Sequence, residues 1–189
     1  HDSMDRYGHG TFVTSVAAGS GAASHGIHVG VAPRVRLINV RVSDDVGMAT
    51  TTDVLLGLQW ILANQARYNI RVVNLSLNSS IAASYLNDPL CAAVELLWIR
   101  GIVVVVSAGN NGTSTLYPPA NDPFVITVGA TDDAGTATTD DDTVAGFSGY
   151  GVTELGQLKP DLVAPGRNII GYLPTNGILS MPEEHSDHR

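Results

Sequence analysis

The sequence predicts an α/β fold in which helices lie on both faces of a parallel β-sheet. Two observations support this: short runs of β-branched residues alternate with longer segments of helical periodicity, and residues 102–106 form a continuous apolar run. Alternating strands and helices are typical of right-handed crossovers between parallel strands. An unbroken apolar run is typical of a strand that is covered on both faces. Since 44% of the 189 residues are hydrophobic and 15% are charged, the chain can form a substantial core.

The first predicted strand comprises residues 35–42, and residues 51–68 are predicted to form a helix. Apolar side chains recur in the second segment at the spacing of one helix face. Thr51 or Thr52 is expected to cap this helix, and Asp53 is favourably placed in its first turn. The apolar positions that define the face are Val54, Leu55, Leu58, Ile61 and Leu62.

The alternation continues through the rest of the chain. Residues 72–77 predict a strand, residues 90–100 a helix ended by Gly101, and residues 102–106 a further strand. The remaining predictions are short strands at residues 124–128 and 162–164, an exposed loop at residues 130–143 and a polar tail at residues 182–189.

Composition excludes several classes of function. The formal net charge is −8 and the ten basic residues are scattered, which argues against a nucleic-acid partner. No apolar run approaches the roughly 20 residues that span a bilayer, so no membrane partner is expected. Cys91 is the single cysteine and has apolar neighbours, which predicts a buried, unreactive thiol.

Two predicted strands run into small polar residues at their carboxyl ends, where parallel sheets bind ligands. After the first, Asn-Leu-Ser-Leu-Asn at residues 74–78 offers an edge with which an extended peptide could pair, although strand ends commonly just lead into loops. After the second, Ser-Ala-Gly-Asn at residues 107–110 forms either a turn or a site where the Asn110 amide faces a developing oxyanion.

Two further motifs complete the pattern. Gly-His-Gly-Thr at residues 8–11 opens an apolar helical stretch and places the His9 imidazole at a helix N-terminus. Lys-Pro-Asp-Leu-Val-Ala-Pro-Gly at residues 159–166 predicts a rigid connection around a short strand. Taken in this order, the four motifs resemble those of the subtilisin-like serine proteases, and Gly-Val-Ala-Pro at residues 30–33 resembles that family as well.

The resemblance implies a subtilisin-like α/β fold and the hydrolysis of peptide bonds through an Asp-His-Ser triad. His9 would be the general base, and Asn110 would donate its amide to the oxyanion. The substrate-binding residues implied are Ser76, Leu77, Asn78, Ala108 and Gly109. The family often has glycine where Asn78 stands, and a second histidine where Phe12 stands.

The other two triad members are expected outside this chain, which would make residues 1–189 a partial peptidase domain truncated at both ends. The family places its aspartate about 30 residues before the histidine, so Asp2 and Asp5 are interpreted as solvated loop carboxylates. Ser180 lacks the Gly-Thr-Ser context of the nucleophile. The chain alone is therefore expected to be inactive.

No metal site is predicted, because the histidines and the acidic residues show no recognised ligand spacing. Structural calcium is a feature that the resemblance allows without locating it. The resemblance also implies a secreted, extracellular enzyme that acts on peptides or proteins, and a monomer is expected. The segment around Val46, Gly47 and Met48 is a candidate for a more remote substrate subsite.

Two other classes of function are considered. A catalytically inactive subtilisin-like domain would bind extended peptides or a partner protein, but such a domain has no need of both His9 and Asn110. An α/β-hydrolase of another kind is disfavoured because the sequence has no Gly-x-Ser-x-Gly motif.

Overall fold

The computed structural model of the chain describes residues 4–180, so Asp2 and the polar tail at 182–189 lie outside the described residues. The chain divides into two units, His1–Thr50 with Ile169–Arg189 and Thr51–Asn168. Within residues 4–180, no helix has both the length and the apolar character needed to cross a membrane.

The first unit is built around helix α1, His9–Ala18. The segment that follows the helix returns to its last turn: the Gly30, Val31 and Ala32 amides donate to the carbonyls of residues 19, 16 and 17. Glycine is needed at position 30, because a Cβ there would lie 2.4 Å from the Gly19 nitrogen. This close approach explains the glycine of the Gly-Val-Ala-Pro motif.

The predicted strand at residues 35–42 is not formed. The segment lacks a strand partner among the described residues, and Val35 and Leu37 are exposed. Because a strand is defined by the hydrogen bonds it exchanges with a neighbour, β-branched composition alone does not produce one. The prediction was therefore wrong for this segment.

The second unit contains a mostly parallel sheet, which confirms the predicted α/β class. The central strand β3 pairs in parallel with β2 and β7 and in antiparallel fashion with β4, and β1 pairs in parallel with β2. A separate antiparallel ribbon joins β5 and β6. The strands are β1, Val72–Leu75; β2, Val103–Ser107; β3, Ile126–Asp132; β4, Thr143–Val144; β5, Gly151–Val152; β6, Leu158–Lys159; and β7, Leu162–Pro165.

Two helices pack in this unit, α2 at Thr51–Tyr68 and α3 at Pro89–Ile99. Helix α2 begins at Thr51, and its capping by Thr51 or Thr52 stays a prediction. The Asp88 carboxylate caps α3 by accepting hydrogen bonds from the Leu90 and Cys91 amides at 2.8 and 3.2 Å. Cys91 is fully buried, as predicted, and burial raises the pKa of its thiol.

Strand β2 alternates in burial instead of being covered on both faces. Val104 and Val106 are buried, whereas Val103 is 44% exposed. Val72 of β1 pairs in register with Val103 and is exposed as well. The prediction that β2 is buried on both faces was therefore wrong within this unit.

The Lys-Pro-Asp motif stabilises the second unit through buried polar contacts. The Lys159 side chain is 1% exposed, and its ammonium donates to the Val125 carbonyl at 2.7 Å and to the Asp161 carboxylate at 2.6 Å. The same Asp161 oxygen accepts from the Thr127 amide at 2.7 Å. A buried ammonium requires this degree of compensation, so the motif has the structural role that its prolines predict.

Asp122 is a buried acid beside helix α3. Asp122 is 0% exposed, one carboxyl oxygen accepts from the Phe124 amide at 2.8 Å, and the other oxygen has no hydrogen-bond partner among the described residues. Burial, reinforced by the charge of Glu95, raises the pKa of Asp122 to about 6, while the Phe124 amide and Lys159 act in the opposite direction. Folding therefore shifts Asp122 toward the protonated acid, which predominates in the folded state below about pH 6.

We expect Asp122→Asn to stabilise the protein at pH 8 and to weaken the pH dependence of its stability. Because the folded pKa is higher than the unfolded one, folding loses free energy as the pH rises from about 4 to about 6, and the whole penalty persists at higher pH. A change from 3.8 to about 6 corresponds to roughly 3 kcal/mol.

The measurement is the free energy of unfolding at pH 5 and pH 8 for the wild type, Asp122→Asn and the exposed-loop control Asp140→Asn. Equal pH dependence in the wild type and in Asp122→Asn would contradict a raised pKa for the buried Asp122.

Candidate active site

His9 is the first residue of α1, and its side chain is exposed to solvent. The preceding Gly8 has a φ of 108°, which disfavours any residue with a side chain. A Cβ at Gly8 would also lie 3.3 Å from Leu173 Cδ2. The glycine thus lets the chain turn sharply into the helix with the imidazole at its N-terminus.

Asp5 fastens the N-terminus of α1 and is not the solvated loop carboxylate that the sequence suggested. One oxygen accepts from the Gly8 amide at 2.8 Å, and the other accepts from the Thr11 amide and hydroxyl at 2.7 and 2.8 Å. Partial burial raises the pKa of Asp5, but these hydrogen bonds outweigh burial and lower it below 3.8. Asp5 therefore stays ionised and holds the turn that carries His9.

The environment of His9 favours the neutral imidazole. Desolvation by the surrounding protein atoms lowers the pKa of His9 below 6.5, and the opposing effect of the Asp5 charge is smaller. A neutral imidazole at neutral pH is the form that accepts a proton.

Phe12 and the segment around Gly47 also lie in the first unit. The Phe12 ring packs against Gly171, where a Cβ would lie 2.7 Å from the ring, which agrees with a structural role. Residues 44–48 form a tight turn in which the Asp44 carboxylate accepts from the Val46 and Met48 amides. Val46 and Met48 are exposed on this turn, and their assignment to a remote subsite stays a prediction.

The other candidate residues lie together in the second unit, at the carboxyl ends of β1 and β2. The two strands are parallel, and Leu75 pairs with Val106. Ser76, Leu77 and Asn78 follow β1 and therefore lie beside the end of β2. The residues there are Ser107, which ends β2, and Ala108, Gly109 and Asn110, which follow it.

A side-chain hydrogen bond joins the segment that follows β1 to the end of β2. Asn78 Nδ2 donates to the Ser107 carbonyl at 2.9 Å across 29 positions of sequence. A Cβ at Gly109 would lie 3.5 Å from Asn78 Oδ1, so the amide also fits closely against Gly109. Ala108 is buried, and its amide donates to the Val128 carbonyl of β3, which fixes this segment to the sheet.

Asn110 is exposed, and its side-chain amide makes no hydrogen bond within residues 4–180. The neighbouring Asn111, by contrast, donates to the Thr115 carbonyl and accepts from the Thr113 amide. A turn-forming role would engage an asparagine in this local manner. The Asn110 amide, which has no hydrogen-bond partner within the described residues, is therefore available to a ligand.

An open cavity of about 320 Å³ adjoins Asn110. Besides Asn78, Gly109 and Asn110, it is lined by Ser79, Ser80, Asn111 and Tyr117, so its wall carries amide and hydroxyl groups and no charge. Sequence reasoning missed Ser79, Ser80 and Tyr117 as lining residues, and it missed the role of Asp5. The one available signal for Asp5 was its position just ahead of a helix start.

The candidate residues fall in different units, His9 in the first and Asn110 with the substrate-binding candidates in the second. Among residues 4–180, no group of three or more histidine, cysteine or carboxylate side chains is arranged to hold a metal ion.

Comparison with known proteins finds relatives that match nearly the whole chain. The chain is 41% identical over 194 aligned positions to the serine protease AprX of Bacillus subtilis (strain 168), an alignment that covers 96% of this chain and 43% of that protein. It is 36% identical to the thermophilic serine proteinase of Bacillus sp. (strain AK1), covering 93% of this chain and 38% of that one. The chain thus spans less than half the length of these relatives.

Solved structures agree with the sequence relatives. Sphericase superposes with a TM-score of 0.76 at 27% identity, and the S41 psychrophilic protease with a TM-score of 0.75 at 26% identity. Each match covers 92% of this chain and 57% of the other chain. The family model described as "Subtilase family" (Peptidase_S8) matches residues 1–189. The chain therefore belongs to the subtilase family of peptidases.

Proposed function

We propose that this chain is the part of a secreted serine endopeptidase that carries the general base and the oxyanion donor. The observation that carries the proposal is the uncommitted amide of Asn110, which follows β2 at the carboxyl edge of a parallel sheet beside an open cavity. Membership of a family whose similar members are serine proteases supports this choice.

The chemistry is acyl transfer from a peptide to a serine hydroxyl and then to water. The neutral imidazole of His9 accepts the proton of the attacking serine and returns it to the leaving amine. Asn110 Nδ2 donates to the carbonyl oxygen as it becomes negatively charged, which is the state that an oriented amide stabilises most. In this proposal, the serine and the aspartate that orients His9 lie in parts of the protein outside this chain.

The substrate is proposed to be an extended peptide or protein segment that binds alongside Ser76, Leu77 and Asn78. The backbone of a strand edge can pair with such a segment, and Ala108 and Gly109 form the opposing wall. A monomer that acts outside the cell completes the proposal. No nucleic acid, membrane or catalytic metal takes part in it.

The test compares the full-length protein with this 189-residue chain. We expect the full-length protein to hydrolyse casein and fluorogenic peptides and to lose this activity on treatment with a sulfonyl fluoride, which sulfonylates an activated serine hydroxyl and releases fluoride. The chain alone should show no hydrolysis. If the full-length protein binds peptides but never cleaves them, it is a binding domain and the proposal fails.

A further inference from the structure

The Asn78 side chain lies between the carboxyl ends of β1 and β2. Its Nδ2 reaches the Ser107 carbonyl at 2.9 Å, so the amide spans from the end of β1 to the end of β2. Its Oδ1 lies in van der Waals range of the space above Gly109. A substrate side chain that entered between Asn78 and Gly109 would meet this amide first.

The proposed role of Asn110 identifies the substrate side chain that would enter here. The carbonyl that accepts a hydrogen bond from Asn110 belongs to the residue immediately before the scissile bond. The side chain of that residue branches one bond from the carbonyl, and Gly109 is the residue adjacent to Asn110. On the proposed function, this side chain is placed in the space next to Gly109, where a Cβ would lie 3.5 Å from Asn78 Oδ1.

Displacing the Asn78 amide would cost a hydrogen bond. A substrate group that displaced Asn78 would leave the Ser107 carbonyl without its side-chain donor, and an apolar group could not replace that hydrogen bond. The nearby wall also carries the hydroxyl and amide groups of Ser79, Ser80, Asn111 and Tyr117. A large side chain would thus enter only if the hydrogen bond between Asn78 and the Ser107 carbonyl were broken.

From these contacts we infer that Asn78 is a specificity-determining residue that restricts the protease to substrates with a small side chain, such as alanine or serine, before the scissile bond. This inference rests on the proposed function. It concerns the choice of substrate and leaves the chemistry of His9 and Asn110 unchanged.

The experiment measures kcat/KM of the full-length protein on two peptides that differ only in having alanine or phenylalanine before the scissile bond. The wild type should prefer alanine by about tenfold or more, since steric and polar discrimination in a pocket is of this order. Asn78→Gly should raise the ratio of kcat/KM for the phenylalanine peptide to kcat/KM for the alanine peptide by about tenfold, mainly through KM for the phenylalanine peptide.

Two further variants keep the result interpretable. Asn78→Ser, which shortens the side chain, should shift the preference in the same direction if Asn78→Gly fails to fold. Asn87→Gly removes an exposed asparagine in the short 3₁₀ helix Tyr85–Asn87 and should leave the preference unchanged.

The possible failures are distinct. Equal cleavage of both peptides by the wild type, or an unchanged ratio in Asn78→Gly and Asn78→Ser, overturns the role of Asn78 while the protease assignment stands. Absence of cleavage of every peptide by the wild type overturns the proposed function instead, and this inference with it.

Discussion

Replacing His9 with alanine is expected to lower kcat of the full-length protein by about 10⁶-fold with KM nearly unchanged, a magnitude established on a subtilisin. The side chain is exposed at the start of α1 and its environment favours the neutral imidazole, so it is available as a base. Without it, the serine hydroxyl has no acceptor for its proton during attack. The loss therefore appears in the chemical step and not in substrate binding.

The measurement is steady-state hydrolysis of a fluorogenic peptide by the wild type, His9→Ala and the control His28→Ala. His28 is an exposed histidine of the same unit whose substitution should leave kcat unchanged. A His9→Ala variant that retains a tenth of the wild-type kcat would exclude His9 as the general base. Circular dichroism of each variant separates a catalytic loss from unfolding.

Replacing Asn110 with alanine is the second large effect and is expected to lower kcat by about 10²–10³-fold, a range that was also established on a subtilisin. The amide is free of other hydrogen bonds within the described residues, so its removal should cost little stability. Because the donor acts on charge that develops only in the transition state, KM should change little.

The matched control is Asn87→Ala, an exposed asparagine away from the ends of β1 and β2. Comparable kcat values for Asn110→Ala and the wild type would contradict the role of Asn110 as an oxyanion donor. A rise in KM with constant kcat would instead show that Asn110 contacts the substrate equally in the ground and transition states.

The sequence by itself determined the class of fold, the family and the central elements of the second unit. Residues 51–68 form the predicted helix, and the apolar runs near residues 72 and 103 form neighbouring parallel strands. These features follow from local patterns, namely apolar periodicity, a terminating glycine and short motifs in a fixed order. The same patterns predicted which polar residues follow β1 and β2, and buried Cys91 follows from its apolar neighbours.

Tertiary structure decided the features that depend on residues distant in sequence or on burial. Residues 35–42 have strand composition but form no strand, because pairing requires a neighbour that composition does not supply. The contact of Asn78 with the Ser107 carbonyl joins positions 29 apart, and no periodicity encodes it. Asp5 and Asp122 are both aspartates in loops, yet hydrogen bonds keep the first ionised while burial favours the protonated form of the second. A carboxyl group takes its charge from the donors and the water around it, and these are set only when the chain has folded.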